Sequence, residues 1–292
     1  MKRDLTAELR VDLHIHTTAS DGTWTPALTV AAVKEAGIGL FAVTDHDTAA
    51  NIVATSRLAV AAGLGFLPGV EISTTQAGQL FHILGYGVDP AAGELERILA
   101  ANTALMEEVD HDSIRKLVAA GLPVDYDEFC AYRHDPARGG WKSLSYLIDK
   151  GLCRGVGDFF SELFTTERGI VFPAFAPPTA AIAAIKAAGG VAVLAHPGSD
   201  FHGPALEETL DYFAGEAIDG VECFHPGHDA ATTGRAVAWC DRHRLLITGG
   251  SDCHGGFVAH RRLAQPAIRL SDLRLGRLLE RIRLPLAGRS RF

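Results

Sequence analysis

The chain has 292 residues, of which 47 % are apolar and 21 % charged, a composition that excludes both a disordered tract and a membrane bundle. A formal net charge of -8 disfavours extended contact with nucleic acid. The 5 cysteines are odd in number and form no C-x-x-C pair, which argues against a disulfide framework or a cysteine zinc site and fits a reducing cytoplasm.

Met1 to Arg10 is charged and lacks an apolar h-region, so neither a secretory signal nor a membrane span is expected. Short apolar runs then alternate with Ala-rich segments. Strands are expected at Leu9–Thr17, Ile38–His46, Phe66–Ser73, Phe81–Val88, Val191–His196, Gly220–His225 and Leu245–Gly250. Helices are expected at Pro26–Ala36, Ala49–Ala62, Thr179–Ala188, Pro204–Ala214 and Ala230–Arg242. The alternation predicts an α/β fold with a mainly parallel sheet closed, or nearly closed, into a barrel. Residues 93–172 break the rhythm with helices at Glu94–Ala120, Ser143–Lys150 and Gly157–Phe164, which reads as an α-helical insertion covering the active site. Residues 8–92 and 173–285 would form the barrel. A last helix is expected near Ser271–Arg283, with Leu275, Leu278, Leu279 and Ile282 as its packed stripe.

The 13 histidines carry the functional signal through their positions. His14 and His16, two residues apart on a strand, point to the same face and suit one metal ion. Asp21 lies in the following loop, where Asp-Gly also suits a turn. The second strand ends Thr44-Asp45-His46-Asp47, and the third carries Glu71 inside an apolar run, where an unpaired carboxylate would be costly. His82, His196, Asp252 and His254 fall on or after later strands. Each has a structural explanation alone. Together, a core could not bury these groups without compensating charge, which divalent ions supply. Barrel enzymes also build their sites at the C-terminal ends of strands.

His14-x-His16, Asp21-Gly, Thr44-Asp-His46, Gly69-Val-Glu71, His82-Ile-x-Gly85, Ala195-His196-Pro and Ser251-Asp-x-His254 resemble the PHP (polymerase and histidinol phosphatase) superfamily, in its stand-alone phosphoesterase branch. The resemblance covers about 11–90 and 191–254. It implies a distorted (β/α)7 barrel with an α-helical insertion and two to three divalent ions, for which the nitrogen and oxygen donors suit manganese, iron or zinc. His14, His16, Glu71 and Asp252 would hold the first ion, Asp21, His46 and His254 the second, and Glu71, His82 and His196 the third. Asp12 and Asp45 would orient imidazoles, and alternation turns Cys253 away.

The expected reaction is hydrolysis of a small phosphorylated metabolite or nucleotide, as a phosphomonoester or cyclic phosphodiester, by metal-bound hydroxide. An exonuclease trimming oligonucleotide ends is the alternative. A carbon–nitrogen hydrolase is disfavoured, because no lysine falls at a strand end to bridge metals. The family's Arg-x-His phosphate motif is not in place: the comparable stretch runs Arg138-Gly-Gly-Trp141-Lys142. Arg138 and Lys142 are therefore candidate phosphate contacts, with Trp141 stacking on a base or sugar. His225 and His228, after a strand end, are candidate rim contacts; His202 and His260 are weaker ones.

Overall fold

The computed structural model describes residues 6–199 and 205–284. Eight strands form one sheet in the order β7-β6-β5-β4-β3-β2-β1-β8. They are β1 (Arg10–Asp12), β2 (Leu40–Val43), β3 (Gly65–Gln76), β4 (Gln79–Tyr86), β5 (Val191–Leu194), β6 (Gly220–Phe224), β7 (Leu246–Gly249) and β8 (Ile268–Arg269). Beyond its paired residues, the β1 chain runs on along β7. Leu13 N donates to Gly249 O at 3.1 Å and His16 N to Cys253 O at 2.9 Å, which closes the sheet into a barrel.

Strands β2 and β5 are buried on both faces, as their unbroken apolar runs Leu40-Phe-Ala-Val43 and Val191-Ala-Val-Leu194 require. Helices α1 (Pro26–Glu35) and α2 (Ile52–Ala61) return the chain between the first three strands. Thr25 caps α1, and Pro26 fills its first turn, where a missing N–H costs nothing. Helices α7 (Pro178–Ala187), α8 (Leu206–Ala214) and α9 (Ala230–His243) do the same later in the barrel. Residues 93–168 hold α3 (Gly93–Ala119), α4 (Tyr126–Ala131), α5 (Lys142–Asp149) and α6 (Val156–Asp158), with short turns and no strand. They have their own apolar core around Ile114, Phe129, Leu144 and Phe159. Among the described residues, no helix is long and apolar enough to cross a membrane.

The sheet is mainly parallel with one antiparallel strand inside it, and one expectation is corrected. Strand β4 runs antiparallel to both β3 and β5. The two-residue turn Ala77-Gly78, with φ of 50° and 77°, folds the chain directly back instead of through a helix. The C-terminal helix is not α-helical: it consists of two 3₁₀ segments, Leu270–Asp272 and Gly276–Arg281. Of its expected stripe, Leu275, Leu278 and Ile282 are buried against Val11, Leu40, Leu67 and Val191, whereas Leu279 is 45 % exposed.

Candidate metal centre

Nine side chains from six strands and the segments that follow them meet in one place. His14 Nε2 and His16 Nε2 are 3.1 Å apart. Glu71 Oε2 lies 3.1 Å from the first, 3.2 Å from the second and 3.3 Å from His46 Nδ1. Its other oxygen, Oε1, lies 3.1 Å from His82 Nδ1 and 3.0 Å from His196 Nε2. Asp252 Oδ1 is 3.1 Å from His16 Nε2 and 3.4 Å from His14 Nε2. Asp21 reaches His254 Nε2 at 3.3 Å and His16 Nδ1 at 3.5 Å. Donors held about 2.1 Å from a shared ion stand about 3.0–3.4 Å from one another in octahedral or tetrahedral arrangements. The observed spacing, and the mixed nitrogen and carboxylate set, therefore fit divalent ions.

Charge follows the same geometry. Burial opposes ionisation of Glu71, but His14, His46 and His82 beside it hold its carboxyl well below the ordinary range. At Asp252, burial is likewise outweighed by His14, His16 and His225. His16, despite its burial, is pushed up to about 10 by hydrogen bonds to Asp252 and Glu71. The carboxylates thus draw protons onto His14 and His16, whereas burial pushes His46 down to about 3, and a divalent ion would replace the bound protons as the counter-charge.

The backbone is strained to deliver two of these groups. His196 and Asp252, each just beyond a strand end, have φ of 28° and 50°. Non-glycine residues rarely adopt such values, which cost on the order of 1–3 kcal/mol each and cluster at functional sites. Gly250 lies so close to the His14 backbone that a Cβ there would collide with it.

Eight of the nine expected ligands fall into three groups spaced to hold an ion, His196 joins them through Glu71, and Cys253 stays outside the cluster, its thiol pushed up to about 11 by burial. Other expectations change. Arg138 is bound by Asp149 at 2.7 and 2.9 Å and by Tyr132 at 2.9 Å. Lys142 lies over the Phe129 ring and donates to Cys130 O at 3.3 Å. Among the described contacts neither touches the nine residues, because partners inside the insertion hold both cations. His228 is not a spare rim contact: its Nδ1 donates to Cys223 O at 2.9 Å and its Nε2 accepts from Gly198 N at 3.1 Å. His225 is buried in the cluster itself, its Nε2 donating to Asp252 Oδ2 at 3.1 Å. His260 is exposed, and His202 lies outside the described residues.

Asp12 and Asp45 do not orient imidazoles. Asp12 accepts backbone N–H groups of Ser251, Ala264 and His14 at 2.9, 3.2 and 3.4 Å. Asp45 accepts from Thr17 N, Thr17 Oγ1 and Ser20 Oγ at 2.7, 2.7 and 2.8 Å. The residue that does orient an imidazole was missed. Glu222, fully buried in β6, accepts from His14 Nδ1 at 2.9 Å and from His196 N at 3.0 Å. An acid between Val221 and Cys223 in an apolar strand was the available signal. Arg261 was also missed: its Nη1 contacts Asp252 Oδ2.

Ionisable donors packed at coordination distances, at the strand ends of a barrel, define a metal-dependent hydrolase. Residues 12–163 match the PHP domain. A 3′,5′-nucleoside bisphosphate phosphatase of Chromobacterium violaceum is 31 % identical, with 84 % of this chain and 87 % of that protein covered. The 5′-3′ exoribonuclease Rnm of Salmonella typhimurium is 32 % identical, over 83 % and 84 %. A solved structure of an amidohydrolase from Chromobacterium violaceum, with bound sulfate and no metal, superposes with a TM-score of 0.78 at 26 % identity, covering 95 % of this chain and 98 % of the other. A Bifidobacterium adolescentis structure described as a metal-dependent phosphoesterase gives a TM-score of 0.74 at 28 % identity, covering 90 % and 95 %. The chain belongs to the PHP domain family and is a hydrolase of phosphate ester bonds.

Proposed function

We propose that the chain hydrolyses a small phosphorylated nucleotide, as a phosphomonoester or cyclic phosphodiester, using two to three divalent ions of manganese, iron or zinc. The observation that carries this reading is Glu71, whose two oxygens face different histidine sets: His14, His16 and His46 on one side, His82 and His196 on the other. A carboxylate so placed suits a bridge between ions. In the proposed assignment, His14, His16, Glu71 and Asp252 hold the first ion, Asp21, His46 and His254 the second, and Glu71, His82 and His196 the third. His16 also borders the Asp21 set, and His46 borders Glu71 and His82, so the sets adjoin.

Bound ions of this class supply Lewis acidity and lower the pKa of water towards about 7. The protein's own groups do the rest. Glu222 fixes the tautomer of His14 by accepting a hydrogen bond from Nδ1–H, which leaves the Nε2 lone pair facing the cluster. The insertion borders the mouth, where Gly140 N donates to Asp21 O at 2.8 Å. The 5 cysteines are free thiols, with buried Cys223 and Cys240 3.7 Å apart and unbridged, which supports a reducing compartment such as the cytoplasm.

A second reading, trimming of oligonucleotide ends, is favoured by a row of half-buried rings. Phe257 lies 6.4 Å from His254, Trp141 6.3 Å from Phe257, Phe160 5.9 Å from Trp141 and Phe172 5.9 Å from Phe160. Bases stack on such surfaces, and the row is longer than one base needs.

The test is hydrolysis by metal-loaded protein, read as phosphate release from mononucleotides, 3′,5′-bisphosphates and sugar phosphates, and as the ring-opened monoester or the freed nucleotide, separated by chromatography, from cyclic phosphates and short oligonucleotides. Hydrolysis of a nucleotide, lost in Glu71→Gln and Asp252→Asn, is expected. A metal-loaded protein that hydrolyses none of them would overturn the proposal.

A further inference from the structure

Asp252 uses its two oxygens differently. Oδ1 faces His14 and His16, the imidazoles that would share an ion with it. Oδ2 faces away, accepting from His225 Nε2 at 3.1 Å and from Arg261 Nη1. His225 is buried and has no other task on its Nε2, so it suffices to orient the carboxylate. Arg261 is a different kind of neighbour. Its side chain is 27 % exposed, so the guanidinium spans from the buried carboxylate to solvent. Its Nη1 makes its one side-chain hydrogen bond among the described contacts, and a guanidinium has five N–H donors in a planar fork.

Arg261 is also the one lysine or arginine among the described residues in polar contact with any of the nine ligands. Its loop is pinned on both sides. Gly256 N donates to Thr23 Oγ1 at 2.8 Å, and Ala264 N donates to Asp12 Oδ2 at 3.2 Å. Arg261 N itself closes a turn on Val258 O at 3.0 Å. The cation is thus presented at the edge of the cluster from an anchored loop rather than a floating one.

From this placement we infer that Arg261 is the phosphate-gripping residue of the site: its guanidinium donates to non-bridging oxygens of the phosphoryl group being cleaved. The inference rests on the phosphoesterase reading above and names the residue that recognises the anion. A planar fork matches a phosphoryl face bidentately, and lysine offers only a point charge. Arg261 is thereby a contact to substrate, and His225 is the positioning residue for Asp252.

The two roles separate experimentally. Orthophosphate, the product anion, is the probe. Its affinity for the metal-loaded protein is measured by calorimetry, and bound metal is counted by elemental analysis. Arg261→Ala is expected to keep its metal content within about twofold while orthophosphate binds at least about tenfold more weakly, with KM raised more than kcat is lowered. Arg261→Lys should recover only part of that loss. His225→Gln should do the reverse, losing metal while each loaded site keeps its phosphate affinity. Unchanged phosphate affinity in both Arg261 variants would overturn the inference, as would loss of metal with unaltered phosphate binding per loaded site. If wild-type protein loaded with metal hydrolysed no phosphate ester, the phosphoesterase reading itself would fail. An active wild type with indifferent Arg261 variants would sink only the role of Arg261.

Discussion

Replacing Glu222 by glutamine changes one atom in a buried place, and its cost can be worked from the contacts. Glu222 accepts from two donors, His14 Nδ1 at 2.9 Å and His196 N at 3.0 Å. Glutamine has one carbonyl oxygen and one amino group, so it can satisfy only one of them. If its oxygen stays on His14, the His196 amide faces another donor and is left unmet in the interior, at about 1–3 kcal/mol. If the amide flips, His14 must accept at Nδ1 and carry its proton on Nε2, the atom that faces His16, Glu71 and Asp252. Either outcome damages the centre. Losing such an orienting partner lowers metal affinity by about 10–100-fold. At about 1.4 kcal/mol per tenfold, the stabilisation conferred by metal then falls by about 1.4–2.8 kcal/mol. Chelator competition measures the affinity, and urea unfolding with and without chelator separates the metal term from the loss in the metal-free protein. A variant that held its metals within about twofold of the wild type, with unchanged metal-free stability, would refute this account of Glu222.

Asn102→Ala should loosen the insertion from the barrel, because buried Asn102 Nδ2 in α3 donates to Asp47 Oδ1 at 2.7 Å and to Ser73 O at 2.8 Å. A loss of about 1–3 kcal/mol in urea unfolding is expected, and a change below about 0.5 kcal/mol would count against that tie. Asp110, which accepts from Ser143 N and Oγ at the start of α5, is pushed from 3.8 up to about 6 by burial. The folded state therefore holds this proton more tightly than the unfolded chain. Its contribution is present below about pH 4 and fades as pH rises through about 6, by about 3 kcal/mol in all. The difference in unfolding free energy between the wild type and Asp110→Asn should shift against the wild type across that window, and a flat difference would exclude the effect. Arg138→Ala and Lys142→Ala should leave KM and kcat within about twofold, since exposed pairs of the Arg138–Asp149 kind contribute about 1 kcal/mol or less. A tenfold rise in KM would return either cation to the substrate site.

The clustering of these side chains was legible because polar groups at the ends of apolar strands conflict with burial unless something compensates them. That conflict is local and can be seen along the chain at His14, His16, Glu71, His196 and Asp252. Glu222 carries the same signature as Glu71, and weighing it equally would have found it. The direction of β4 was harder to see. Helix–strand alternation elsewhere favours parallel neighbours, and only the Ala77-Gly78 turn marks a hairpin. Arg138 and Lys142 show a different limit: sequence gives a charge but not its partner, and Asp149 and Phe129 claimed both. The C-terminal leucines fit an α-helix and a 3₁₀ turn about equally well, and Gly276, at φ 50°, does not continue an α-helix.

Asp12 and Glu222 expose a division of labour that no single strand reveals. His196 and Asp252 stand in the left-handed region, and both turns are braced by a buried carboxylate. Glu222 accepts the amide of His196, and Asp12 accepts the amide of Ser251, next to Asp252. Asp12 also accepts from the amide of His14 and from Ala264, where the Arg261 loop returns. Backbone strain of this kind persists only when the surroundings over-determine it. A carboxylate receiving two or three N–H groups is strong enough for that, at the cost of burying a charge; burial raises the pKa of Asp12, and its amide donors oppose the rise. Acids that contact no proposed ion directly therefore set where the ion ligands stand. The same bracing fixes the loop that carries Arg261, so the geometry of the proposed ligands and the position of the neighbouring cation share one support.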